Sequence, residues 1–355
     1  IAIVFAAWIA PHTSNPGVTL AIGVFVAGIV QLAMHIPAVL RLKLLRRPHW
    51  NWRHEGVQRI AKLMVPAILG SSMGQLSVLI SSAIATLLAT GSVAWLYWAD
   101  RLVEFPLGVF SIALATVILP NLSAHHAEQS SEGFAATLDW ALRLLCVIVI
   151  PAAVSLFVLA GPLTVAIFHY GEFSERDVHM TRIALMAYAF ALIGWSMVKV
   201  LAPGYFARHD TRTPMRTALQ SLAVTMALNV VFVLVAWHND ALQSAGLHIA
   251  LALTNAVGAM VNSYLLYRGL RTQQVLHPSA GWSALLLRIV LANAVMAMGL
   301  YWWAGDTEFW MNLGVWSRVA RLTVCVGGGL SLYFAALWLF GARTVHFRSH
   351  KSATR

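Results

Sequence analysis

The sequence predicts an all-α, polytopic membrane bundle, and three observations carry that reading. The chain of 355 residues is 59% hydrophobic and only 10% charged, where a soluble domain carries about 25% charged residues. Its apolar residues fall into ten segments, nine of them near or above the roughly 20 residues that a spanning helix needs. None shows the alternation over about ten residues that marks a lipid-facing barrel strand. A long apolar segment in lipid must satisfy its own backbone, so each is read as a helix.

The first segment is a short run over 1–10, closed by PHTSNPG. It begins within apolar sequence, without Met or a basic leader, so an N-terminal portion is expected to be missing. The second covers 17–42, and the basic connection after it leads to the third at 57–90. Gly70 and Gly74 in that third segment make a GxxxG suited to close helix contact. Ser71, Ser72, Gln75, Ser77, Ser81 and Ser82 give it a polar side that can line a cavity or pack. The fourth runs over 92–119, with a kink expected at Pro106. The polar stretch NLSAHHAEQSSEGF is read as the connection to the fifth segment at 138–168. The sixth is 178–206. The turn FARHDTRTP leads to the seventh at 213–237, with Asp210 or Thr213 capping and Pro214 in the first turn. The eighth is 246–268, the ninth 281–304 and the tenth 316–341.

Charge sets the orientation. Strict alternation of the ten segments places 18 of the 24 Lys and Arg on one face, with Arg176, Arg182, Arg318 and Arg321 on the other. The cation-rich face, including the C-terminal tail, is therefore expected to be cytoplasmic. This accounts for most of the net charge of +11, which in a soluble chain would suggest nucleic acid. Cys146 and Cys325 lie in apolar runs as buried small hydrophobes, and no Cys or His spacing suggests a metal.

Two cations and their neighbours remain within the apolar segments. Asp100, Arg101 and Glu104 share one helical stripe by their spacing. Ionised groups in hydrocarbon cost at least about 2.5 kcal/mol each, so they face a partner or a wet cavity. Arg101 is either a salt bridge that locks two helices or a cavity cation that Glu104 orients. As a cavity cation its planar fork suits a phosphate or diphosphate on an anionic lipid. Lys199 either snorkels to the interface or meets a substrate from a cavity. Asn229, Thr254, Asn255 and Asn262 read as interhelical hydrogen-bonding groups. His125 and His126 are adjacent and point in different directions, which argues against a shared metal. No nucleophile elbow, Walker loop or HExxH motif appears, so an enzyme is disfavoured.

The stretch Trp98-Ala99-Asp100-Arg101-Leu102-Val103-Glu104-Phe105-Pro106 resembles the MurJ/MviN family of bacterial lipid II flippases. So do Gly161-Pro162-Leu163-Thr164, Phe168-His169-Tyr170-Gly171-Glu172-Phe173, and the run from Val198 to Arg208 with Asp210 and Thr213-Pro214. The resemblance extends along essentially the whole chain. It implies a MATE-like transporter of the MOP exporter superfamily, in the bacterial inner membrane. On that scheme 1–56 is a remnant of the N-terminal lobe and 57–270 the C-terminal six-helix lobe. Residues 271–341 then hold two additional helices bordering a groove for the lipid tail, and 342–355 a basic tail. The implied substrate is lipid II, an undecaprenyl-diphosphate-linked disaccharide peptide, flipped from the inner to the outer leaflet by alternating access. The resemblance assigns substrate binding to Arg101 and Glu104, and Asp100, Lys199 and Gln75 join them as candidates. No cofactor or metal is expected, and a membrane potential or ion gradient would supply the drive. Membrane lipids are partners, nucleic acid is not, and a monomer near peptidoglycan synthesis proteins is expected. The alternative is an exporter of the same superfamily acting on another polyprenyl-linked saccharide or on drugs. Trp282, Trp302, Trp303 and Trp316 read as interface anchors of the additional pair. Gly327-Gly328-Gly329 either shapes the groove or serves packing.

Overall fold

The computed structural model describes residues 8–9, 12–13, 15–42, 52–239 and 246–341. The short apolar run at 1–10, apart from Trp8 and Ile9, and the basic tail at 342–355 lie outside the described residues. Among the described residues there is no strand, and nine spans are long and apolar enough to cross a membrane. The all-α membrane bundle read from composition is what the structure has.

The elements run α1 (Pro16–Arg41), α2 (Glu55–Ala85), α3 (Ser92–Pro106), a π-helical segment (Leu107–Ile112) and α4 (Ala113–Ala127). They continue with α5 (Ser131–Val158), α6 (Ala160–Phe168), α7 (Glu175–Phe206), α8 (Arg212–His238) and α9 (His248–Thr272). α10 (Trp282–Ala304), the short α11 (Thr307–Met311) and α12 (Val315–Leu339) complete the chain. Two compact units divide at Arg59 and Ile60. The first contributes α1, whose last turn carries Arg41.

In the second unit α7 and α9 are the most deeply buried spans. Leu185, Leu192, Leu201, Leu251 and Leu270, all fully buried, join Leu138, Val103 and Ile118 in one core. A second core joins α5 and α6 to α10–α12 through Ile289, Met296, Trp310 and Tyr333. The Tyr333 hydroxyl donates to the Val147 carbonyl at 2.8 Å, tying α12 to α5. α2 buries only Ser81 and Ala85. It is held by Asn255 of α9, which accepts from Ser77 Oγ at 2.8 Å and donates to Ser81 Oγ at 3.1 Å. Thr254 donates to Asn229 across α9 and α8, so Asn229 and Asn255 join helices as predicted, whereas the buried Asn262 Oδ1 has no hydrogen-bond partner. Gly70 lets α2 approach the Met215 backbone, where an added Cβ would sit 3.2 Å from its Cα, whereas Gly74 meets nothing within 4 Å. Half of the GxxxG is therefore a packing device.

Three boundaries differ from the sequence expectation. α4 continues to Ala127 and α5 starts at Ser131, so His125 and His126 close a helix rather than sit in a loop. Ser130 caps α5 by accepting from Gly133 N. The fifth segment is broken at Leu159 into α5 and α6, and Pro162 falls in the first turn of α6, where its missing N–H costs no helical bond. The kink at Pro106 takes a specific form. Proline cannot bond the Leu102 carbonyl, Leu107 N–H is shared between Val103 and Glu104 carbonyls, and the next six residues wind as a π-helix.

A polar knot clamps the connection before α10. Asp139 of α5 accepts from Trp282 Nε1 at 2.6 Å, from Arg143 Nε at 3.0 Å and from Ser279 Oγ. Arg143 also donates to the carbonyls of Ser279 and Ala280 at 3.2 and 2.9 Å. The carboxylate is 7% exposed, and removing one partner of a buried pair strands the other. Asp139→Ala is expected to cost about 3 kcal/mol, read as a lower unfolding temperature of the detergent-solubilised protein. Trp282→Phe, which loses one hydrogen bond, is expected to cost about 1 kcal/mol. Equal melting of Asp139→Ala and the parent would refute the clamp.

Candidate functional site

The site is built on α3. Ala99 and Val103 are fully buried, one turn apart, and fix the core-facing stripe of this helix. Arg101 follows Ala99 by two residues, about 200° around the axis, and so points away from the core. Glu104 is 300° further on, which returns it to Arg101's side. The rotation of α3 is held at its start by buried Trp95, whose Nε1 donates to Asp177 Oδ1 of α7 at 2.7 Å.

Arg101 Nη1 donates to Glu104 Oε2 at 2.5 Å. The guanidinium carbon lies 4.9 Å from the Tyr97 ring centroid. Tyr97 in turn meets Trp98 edge-on at 5.1 Å, and Trp98 packs on Phe168 of α6 at 4.8 Å. The two charged side chains are 49% and 50% exposed. The Asp139–Arg143 pair, by contrast, is 7% and 13% exposed. One ion pair is thus closed within the protein and the other stays open. Of the five N–H donors of Arg101, four remain for a ligand. Asp100, partly buried, lies within electrostatic reach of both charges.

Gln75 is exposed on α2 and makes no side-chain hydrogen bond to this pair. Lys199 of α7 lines a different space, a cavity of about 410 Å³ between α2, α4, α7, α8 and α9. None of Asp100, Arg101, Glu104 or Gln75 lines that cavity. The structure therefore brings three of the five candidates together and leaves two elsewhere.

Arg176, Arg182, Arg318 and Arg321 are all engaged. Arg318, 6% exposed, donates to the carbonyls of His169, Trp310 and Met311 at 2.9, 3.1 and 2.7 Å. Arg321 donates to the Trp303 carbonyl, Arg182 to Thr307 Oγ1, and Arg176 stacks over Trp95. Arg318 and Asp139 were not singled out from sequence as partners of anything. A lone acid in an apolar segment was the available signal for Asp139. Trp282 bonds Asp139, whereas Trp302 and Trp316 are exposed as belt residues are. An added Cβ at Gly328 or Gly329 would strike Trp303 or Leu300, so those two glycines serve packing of α12 on α10.

Comparison with known proteins places this arrangement. A "Probable lipid II flippase MurJ" of Vibrio cholerae is 40% identical over 344 residues, covering 97% of this chain and 64% of the relative. A "Lipid II flippase MurJ" of Burkholderia cenocepacia is 37% identical over 352 residues, covering 98% and 66%. The chain thus spans just under two thirds of the length of these relatives. A solved structure of "Lipid II flippase MurJ, inward closed conformation" has a TM-score of 0.67 at 20% identity, covering 92% of this chain and 62% of that one. An outward-facing multidrug MATE transporter of the MOP superfamily has a TM-score of 0.50 at 12% identity, covering 78% and 63%. These two likenesses concern the fold. The family model described as "Lipid II flippase MurJ" matches residues 1–322, a span that includes every residue of the α3 site, and the chain belongs to that family.

Proposed function

We propose that this chain is the substrate-bearing part of a transporter, not an enzyme, that moves lipid II from the inner to the outer leaflet of the bacterial cytoplasmic membrane. The observation that carries the reading is the open Arg101–Glu104 pair, nine and twelve residues into a membrane span. Nine residues are about 14 Å of helix, deep enough that an unengaged charge is costly. An arginine kept there with four free donors suits the diphosphate of a lipid-linked sugar, which it can grip bidentately. Tyr97 supports the guanidinium from one face, and Glu104 holds one edge so that the other edge points outward.

In this reading 57–270 forms the C-terminal six-helix lobe and 271–341 the additional pair that borders the lipid tail. The lobe works by alternating access against an N-terminal lobe, as a monomer, with the cation-rich face and C-terminus in the cytoplasm. A drug exporter for cationic compounds would favour carboxylates over arginine at this place.

The test depletes the protein in its host and measures whether newly made lipid II becomes accessible on the outer leaflet. Loss of accessibility, restored by the wild-type gene, is the expected result. Unchanged accessibility in a host without a second flippase sinks the reading. Glu104→Gln, which keeps a hydrogen-bond acceptor beside Arg101, is expected to retain a measurable part of the rescue. If it rescues no better than Arg101→Ala, Glu104 acts as a charge and not as a positioning group.

A further inference from the structure

The cavity beside Lys199 has no part in the site described above. It lies within the second unit, and its wall is almost wholly apolar: Pro66 and Ala67 of α2, Ala115 and Leu119 of α4, and Leu266 of α9. Into this wall the chain places one ammonium, that of Lys199, which pairs with no carboxylate among the described residues. The Asn262 amide also lines the cavity, and its Oδ1 is buried with no hydrogen-bond partner.

Lys199 lies seven residues before the end of α7 at Phe206, about 10 Å below that end. Its flexible stem can carry the charge toward the interface. The cavity reaches the same end, where Phe206, Thr211 and Pro214 line it. The hairpin there carries Arg212 and Arg216, both exposed. The one acid of the hairpin, Asp210, is engaged, since it accepts from Arg212 N, Thr213 N and Thr213 Oγ1. The space is therefore apolar along its wall with one lining cation, Lys199, while Arg212 and Arg216 are near it in the chain but outside the lining. About 410 Å³ falls in the range of roughly 300–1,000 Å³ typical of ligand sites.

We propose that this cavity is a binding site for an anionic phospholipid, with an acyl chain between α2 and α4 and the headgroup phosphate at Lys199. Charge complementarity decides the occupant. A zwitterionic lipid would bring its own cation to a lining whose one charge, Lys199, is already positive, and a free phosphate would leave the apolar wall uncovered. α2 buries only Ser81 and Ala85, so an acyl chain wedged along its other half would set how closely it approaches α4. The proposal does not depend on which substrate the Arg101 site takes.

The test places the full chain in bilayer vesicles with phosphatidylglycerol that carries a photoreactive diazirine on one acyl chain, and maps labelled residues by peptide analysis. Labelling is expected to concentrate at 66–71 and 112–119 and to be competed by plain phosphatidylglycerol but not by phosphatidylcholine. Lys199→Ala should lower labelling of those peptides at least fivefold, and Lys199→Arg should restore most of it. Ala115→Trp, which fills the cavity without touching a charge, should lower it as well. Arg101→Ala should leave it unchanged, which separates this site from the transport site. Labelling spread evenly over all lipid-facing helices, or indifferent to Lys199→Ala and Ala115→Trp, overturns the proposal. Labelling lost with Arg101→Ala also overturns it, because the cavity would then belong to the transport site.

Discussion

Arg101→Ala is expected to abolish rescue of a depleted host while leaving the amount of protein in the membrane unchanged. Both halves of this expectation come from geometry. The side chain is 49% exposed and points away from the stripe formed by Ala99 and Val103. Exposed ion pairs contribute only about 0–1 kcal/mol to stability, so folding should survive. Each charge-assisted hydrogen bond to a phosphate is worth about 1.5–3 kcal/mol. Losing two of them costs at least about a hundredfold in affinity. Arg101→Lys is expected to rescue partly, because an ammonium is a point charge without the planar fork. Growth of the depleted host on Arg101→Ala at normal protein level would remove Arg101 from the mechanism.

The largest stability effect is expected at Arg318. Its guanidinium joins the end of α6, at the His169 carbonyl, to the end of α11, at the carbonyls of Trp310 and Met311. The charge is buried, at 6% exposure, beneath the Tyr170 ring 5.4 Å away. Arg318→Ala strands three carbonyls near helix ends, each costing about 1–3 kcal/mol when buried and unmet. A loss on the order of 3 kcal/mol or more is expected in unfolding of the purified protein in detergent. Arg318→Lys should recover little, since one ammonium cannot span three acceptors held by two elements. A change within about 0.5 kcal/mol, the range of ordinary surface substitutions, would show that the second core holds α10 and α12 without this clamp.

The nine spans were legible because an apolar segment in lipid has few alternatives to a helix. The ends were less so. NLSAHHAEQSSEGF has the composition of a loop, yet only 128–130 leave helical geometry. Helices here run on past the apolar run, where side-chain polarity no longer reports on backbone state. The break at Leu159 was hidden because apolar sequence continues through it, and a single proline is tolerated in membrane helices. The Arg101–Glu104 contact followed from a spacing of three on one helix. The Asp139–Ser279–Trp282 knot joins residues 140 and 143 positions apart, and no local pattern encodes such a meeting. Arg318 illustrates the same limit. Charge counting placed it on a face of the membrane, whereas packing placed it inside the protein.

The π-helical segment at Leu107–Ile112 has a consequence for the whole span. Each wide turn takes in one residue beyond the ordinary count, which offsets everything after it by about 100°. The span therefore runs in two phases. Arg101 and Glu104 are set in the first, while Ala115, Thr116 and Leu119 are set in the second. A single helical wheel drawn through all 36 residues of this span would misplace one half. If the wide turn travelled along the helix by a few residues, the side chains it passed would swing through that angle while both ends stayed where they are packed.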